Sequence, residues 1–269
     1  MNNTMRVDPR AKRGVFTPFA IFLGLAIATS AAQATSNAKE SQEMNSTQTS
    51  TPSASDVLSA RQLAIAPIAA FAAAGDIAKL NAALNQGLDA GLTVSDAREI
   101  LVQLYAYAGF PRSLNALGEL MKVLDARRQR GINDAPGAEP GRSIPKGEAL
   151  LAAGTANQTR LVGAPVKGPV FDFAPAIDEY LKSHLFGDIF ERDNFDWKNR
   201  ELATVSMLSA LPGAESQLQS HIRVSMNVGL TTGQLRQFSQ VLAERVDAEN
   251  GRRAREALDR HLASLSGAR

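Results

Sequence analysis

The stretch Arg200–Thr231, RELATVSMLSALPGAESQLQSHIRVSMNVGLT, decides how this chain is read. Apolar residues recur at three- and four-residue spacing on both sides of Pro212-Gly213, which predicts two helices joined by a tight turn. Glu201 stands about eleven residues before that turn and His221 about eight after it, roughly 16 Å up one arm and 12 Å up the other. In an antiparallel pair the two side chains come within about one helical turn of each other. A carboxylate and an imidazole held so, inside a mostly apolar hairpin, suit a general acid/base pair. Spacing alone equally allows a first-turn helix carboxylate and a satisfied, half-buried histidine.

Outward from the hairpin the chain reads as helical throughout, because strictly alternating β-branched runs are missing. In the first half Asp56 is placed to cap a helix to about Ala74, with Pro67 as a kink or break. Asp76 caps a second helix that ends at Gly91, Thr93 with Asp96 forms a capping box for a third, and Pro111 opens a fourth. In the second half helices are expected at about 175–186, 198–211, 214–228, 232–247 and 250–265, with Thr231 as a further N-cap. Gly- and Pro-dense breaks run from Arg130 to Gly147 and from Gly163 to Pro169. The expected organisation is a first helical repeat over 56–129, a Gly/Pro-rich linker over 130–170 and a second repeat over 171–269.

The two halves are related. Leu80–Thr93, LNAALNQGLDAGLT, aligns with Leu218–Thr231, LQSHIRVSMNVGLT, at a constant offset of 138 residues. At that offset His221 falls on Ala83 and Glu201 on Leu63, so the first copy lacks both polar residues. It keeps AYAGFPRSLNA where the second copy has ERVDAENGRRA. Either one composite site draws on both halves, or the repeat has simply drifted.

Residues 1–34 read as an address. Arg6, Arg10, Lys12 and Arg13 precede an apolar run from Val15 to Ala28, and Ala32-Gln33-Ala34 offers a cleavage site before Thr35. A periplasmic or secreted protein is expected, with an uncleaved anchor as the alternative. The run is short for a span of about 20 residues, so no stable membrane insertion is expected after cleavage. Residues 35–55, rich in Ser, Thr, Asn and Gln, are expected to be a disordered linker. The whole chain has 29 basic and 27 acidic residues; without the leader 25 and 26 remain, a net of −1. No nucleic-acid-binding patch survives that correction, and Arg127-Arg128-Gln129-Arg130 reads as a helix end. The chain has no cysteine, hence no disulfide framework.

The hairpin resembles the core motif of the carboxymuconolactone decarboxylase family: an R-E-L helix, a small-residue turn, then a helix bearing H-x-R and ending N-x-G-L-T. The resemblance extends to His184–Leu202, HLFGDIFERDNFDWKNREL, and to Gly87–Leu117, GLDAGLTVSDAREILVQLYAYAGFPRSLNAL. It implies an all-α fold, two related helical repeats packed as an alkylhydroperoxidase D-like helical bundle. It also implies a cyclic homo-oligomer, a trimer or hexamer. The thiol peroxidase branch carries Cys-x-x-Cys just before the histidine. Here Ala214 and Gln217 occupy those places, so thiolate peroxide reduction is unavailable.

What the resemblance implies for function is a cofactor-independent carboxy-lyase, similar to 4-carboxymuconolactone decarboxylase, acting on a small carboxylated lactone or related acid. His221 would move the proton and Glu201 would tune or orient it. Arginine suits the carboxylate because its planar fork binds bidentately. Arg223, Arg112 and Arg192 are rival clamps, each alternatively a surface arginine. Arg223, two residues from His221, points well away from it on a straight helix. Glu215, Tyr107 and Asn115 complete the substrate-binding candidates, with first-turn dipole placement and core packing as their alternatives. His184 and His261 read as structural, without an acidic partner at metal-ligand spacing, and no metal or cofactor is expected. The rival to the lyase is a non-catalytic oligomeric binding protein on the same scaffold.

Overall fold

A computed structural model describes residues 57–267, and all regular structure among them is helical. The expectations for the leader, the 35–55 segment and the Asp56 cap lie outside the described residues. The first helix, α1 (Ala60–Ala74), is capped by Ser59, whose hydroxyl accepts from Gln62 N–H while the Gln62 side chain answers the Ser59 N–H. It runs through Pro67 without breaking. Next come α2 (Ile77–Asp89), α3 (Val94–Gln103), a single turn α4 (Tyr105–Ala108) and α5 (Phe110–Gln129). Asp76 caps α2, Thr93 and Asp96 form the expected capping box, and Pro111 sits in the first turn of α5.

The second half contains α6 (Glu148–Val162), α7 (Pro169–Phe173), α8 (Pro175–Tyr180), a π-helix (Leu181–Ile189), α9 (Trp197–Ser209), α10 (Glu215–Asn227), α11 (Thr232–Arg245) and α12 (Ala248–Ser266). Two expectations need correction. The helix expected at 175–186 is α8 followed by the π-helix, whose bonds close over a wider turn. The stretch expected as a linker over 130–170 holds α6 between its two Gly/Pro-dense breaks, and α6 packs on the π-helix. Gly154 makes that packing possible: a Cβ there would stand 1.8 Å from the Lys182 carbonyl oxygen. The Gly- and Pro-dense part is itself anchored. Val94 and Ser95 N–H donate to the carbonyls of Ala135 and Pro136, and Gly141 N–H donates to Asp193 at 2.8 Å.

The repeat is visible in the element boundaries. At the offset of 138, α2 maps onto α10 end for end, and the first residue of α5 maps onto the first of α12. The capping box Thr93–Asp96 maps onto Thr231–Gln234, and Gly91 onto Gly229, both at positive φ near 90°. The repeats differ at one telling place. Helix α11 is continuous, whereas its counterpart breaks after Gln103 and reforms as α4, bringing in Tyr105 and Tyr107.

Helices α1 and α9 pack along each other at the centre. The alanine-rich face of α1 permits close approach, and every residue of α9 from Asn199 to Ser209 is buried. The hydroxyls of Thr204, Ser206 and Ser209 donate to carbonyls four residues back, which satisfies polar side chains in a helix surrounded by protein. A second apolar cluster of Leu161, Leu185, Phe186, Ile189, Phe190 and Val224 joins α6 and the π-helix to α10.

Candidate functional site

Helix α9 enters through Asp196, whose carboxylate accepts the Asn199 N–H, and carries Glu201 into the centre of the protein. Helix α10 returns antiparallel after the Pro212-Gly213 turn and places His221 beside it. Glu201 Oε2 and His221 Nδ1 lie 2.8 Å apart, with Glu201 fully buried and the histidine side chain 13% exposed. The spacing argument for the hairpin therefore holds in three dimensions. With Nδ1 engaged by a carboxylate, the imidazole is set as the Nδ1–H tautomer, and no protein hydrogen bond reaches Nε2 among the described residues. The other oxygen, Glu201 Oε1, is buried with no hydrogen-bond partner.

Tyr107 arrives from the first repeat through α4. Its ring meets the His221 ring edge-on, centroids 5.8 Å apart, and its hydroxyl is 3.1 Å from that of Thr204. Burial, then the Glu201 charge, push the Tyr107 hydroxyl above its ordinary range, so it stays protonated near neutrality. One half of the chain thus supplies the phenol and the other the acid and imidazole.

Below this pair lies a buried polar network that motif reading missed. Arg200, without exposed surface, donates to Glu99 at 3.0 Å, to Gln103 at 3.3 Å and to the Arg192 carbonyl at 3.1 Å. Gln103 Nε2 donates to Thr204 Oγ1 at 2.8 Å and so reaches the Tyr107 hydroxyl. Burial raises the Glu99 carboxyl, but the hydrogen bonds from Arg192 and Arg200 outweigh it and hold it at about 2. The sequence signal for this network was a carboxylate at Glu99 among the core positions of α3, with Gln103 one helical turn on.

The remaining candidates are scattered. Arg192 forks onto Glu99 with contacts of 2.6 to 3.1 Å, so its guanidinium is already committed to a carboxylate. Arg112 is half-buried beside Gly75 at the end of α1. Arg223 is half-buried with its Nε unpaired, on the side of α10 facing α12. Burial, then the Arg223 charge, push His261 on α12 below its ordinary range. Glu215 is exposed and accepts the Gly213 N–H at 3.1 Å, a turn contact. Asn115 is exposed on α5. His184 does have an acidic partner, contrary to the reading of its sequence neighbourhood: Asp188, four residues on, lies 3.2 Å from its Nδ1. Among the described residues no cluster of three or more His, Asp or Glu side chains is placed to hold a metal ion.

Clefts indent the surface of the described residues, and two of them are informative. One, of about 680 Å³, runs along the outer face of α6 past Leu151, Thr155 and Thr159. The other, of about 530 Å³, lies where α6, α9 and α10 meet. Neither is lined by His221 or Glu201.

Residues 175–260 match the model described as Carboxymuconolactone decarboxylase family. No curated protein matches the chain. The matched span takes in α8 through most of α12 and leaves out the first repeat, including Gly87–Leu117. The helical hairpin that carries Glu201 and His221 therefore lies within the part of the chain that is similar to the carboxymuconolactone decarboxylase family, whose fold is all-helical and of alkylhydroperoxidase D type.

Proposed function

We propose that the protein is a cofactor-independent carboxy-lyase acting on a small carboxylated lactone or related acid. The observation that carries this reading is the Glu201–His221 contact: a buried carboxylate holds Nδ1 and leaves Nε2 as the working nitrogen. In the reaction the bond to the carboxylate carbon breaks and CO₂ departs. The electron pair left behind is delocalised into the substrate's carbonyl system; His221, having taken a proton from solvent at Nε2, delivers it to carbon and returns to the Nδ1–H tautomer. Glu201 stabilises the imidazolium and restores the tautomer. Tyr107 offers a protonated hydroxyl beside the ring. Arg112 and Arg223 remain as carboxylate clamps, since Arg192 is held by Glu99. The test is CO₂ release from 4-carboxymuconolactone by the chain from Thr35 onward, alongside His221→Ala. Release that vanishes in the folded variant supports the lyase; no release from the folded parent removes that substrate.

A second reading is a non-catalytic oligomeric binding protein on the same scaffold; His221 is absent from the lining of the two clefts described above. Self-association supplies an alternative reason for that absence. Phe110, Leu114 and Met121 are 62–67% exposed and line one face of α5. Helices α7 and α8 expose Val170, Phe173, Ile177 and Tyr180, with Phe173 at 90%. Asp178 on the second surface is paired with Lys182, and Lys122 and Arg128 on α5 are paired with Glu119 and Asp125, so both surfaces present mainly apolar area. The partner we propose for these two apolar faces is a second copy of this chain, joined α5 to α7–α8. Phe110 stacks on Tyr105 at 4.7 Å, and such a contact would wall the α4 side of the site. Export through the N-terminal segment is proposed on its charge and cleavage pattern; the N-terminal residue of the mature protein tests it.

A further inference from the structure

The cleft between α6, α9 and α10 has a chemistry of its own. It is lined by Arg160, Asp196, Trp197, Lys198, Asn227 and Val228, and its volume of about 530 Å³ lies in the range of small-molecule sites. The Arg160 guanidinium lies over the Trp197 ring, 4.7 Å from its centroid. The indole is fixed from behind, because Nε1 donates to the Phe190 carbonyl at 3.1 Å. Lys198 crosses the end of α10 above Gly229: a Cβ on that glycine would stand 3.3 Å from the ammonium.

The balance of charge at this wall is positive. Asp196 is the one carboxylate lining it, and both its oxygens are engaged at 2.9 Å by the backbone N–H and side-chain amide of Asn199. No ion pair engages Arg160 or Lys198 among the described residues. Asn227 is a fixed part of the wall, its amide donating to the Leu161 and Val162 carbonyls. No hydrogen bond within the protein engages the Arg160 side chain among the described residues, and a guanidinium's N–H edge binds a carboxylate bidentately. Trp197 and Val228 are the apolar members of the lining, both partly buried against the second apolar cluster.

We propose that this cleft is a binding site for a small aromatic carboxylate, the anion held by Arg160 and Lys198 and the ring against Trp197. His221 and Glu201 take no part in it, so the site goes beyond the acid–base pair and stands without it.

Trp197 is the chain's single tryptophan, so its emission reports on this cleft alone. The experiment is a fluorescence titration of the full mature chain with benzoate, and with benzyl alcohol as the uncharged counterpart. Benzoate is expected to change Trp197 emission saturably, at least about tenfold more tightly than benzyl alcohol. Arg160→Ala and Lys198→Ala are each expected to weaken benzoate by about tenfold, while His221→Ala leaves it unchanged. Both cations are exposed, and Arg160→Lys keeps the charge over the ring as a check on folding. No saturation below about 10 mM, an equal response to benzyl alcohol, or unchanged benzoate affinity in either alanine variant would overturn the proposal. Binding that survives His221→Ala while decarboxylation fails separates this site from the lyase reading.

Discussion

Glu99 and Arg200 come from different halves of the chain and meet at 3.0 Å with neither side chain exposed. Arg192 and Asn194 close the same carboxylate from the other side, so the pair ties α3 to α9 directly beneath the acid–base site. Removing one partner leaves the other buried and unbalanced. Glu99→Gln is therefore expected to destabilise the fold by about 3–5 kcal/mol, read as a lower urea midpoint.

Acid should act on the same carboxylate. Its folded value of about 2 lies below the ordinary 4.5, so the folded state binds that proton less readily than the unfolded chain. The stabilisation is fully present above about pH 4.5 and is lost as pH falls toward 2, with a ceiling of about 3 kcal/mol. Urea unfolding between pH 6 and 2.5 should show this loss, and Glu99→Gln should reduce its slope.

At the candidate site, His221→Ala and Glu201→Gln should separate chemistry from folding. His221→Ala is expected to lower turnover by at least about a hundredfold while leaving the circular dichroism spectrum unchanged. Glu201→Gln keeps the shape and removes the charge that stabilises the imidazolium, so its effect should fall on kcat more than on KM. Equal turnover in parent and variants would remove His221 and Glu201 from the chemistry, and no turnover from the folded parent would leave the scaffold reading.

Close packing at Gly154 offers a sharp contrast within one residue type. Gly154→Ala drives a methyl against the Lys182 carbonyl and is expected to cost about 2–3 kcal/mol as α6 and the π-helix separate. Gly118, inside α5, has open space where a Cβ would stand, and Gly118→Ala should stabilise by up to about 1 kcal/mol. Thermal melts of the two variants should move in opposite directions.

Self-association should fail when either apolar surface is charged. Leu114→Asp and Phe173→Asp are each expected to shift the protein to monomer by light scattering, without loss of helix content. An unchanged assembly in both variants would rule out the α5 to α7–α8 contact.

The helices that frame the site were legible because their signals are local. Thr93 with Asp96, Thr231, Asp76 and Pro111 each act within one turn of their own position, and the 138-residue offset follows from the same repeated punctuation. The Glu201–His221 contact was legible too, since a tight turn makes depth along two arms a matter of counting. The break after Gln103 that forms α4 was not, nor was the π-helix, because neither carries a turn residue at the point where the pattern changes.

By itself, then, the sequence determined an all-helical chain of two related halves, an acid opposite an imidazole, and the absence of thiol chemistry. Tertiary structure alone decided which polar groups share a dielectric. It placed Glu99 under Arg200 and Arg192 and carried Tyr107 across from the first repeat to the His221 ring. It also left Arg160 and Lys198 uncompensated around Trp197. The physical reason is range: caps and turns are settled by hydrogen bonds a few residues apart, whereas partners about a hundred residues apart are chosen only when packing closes the helices on one another.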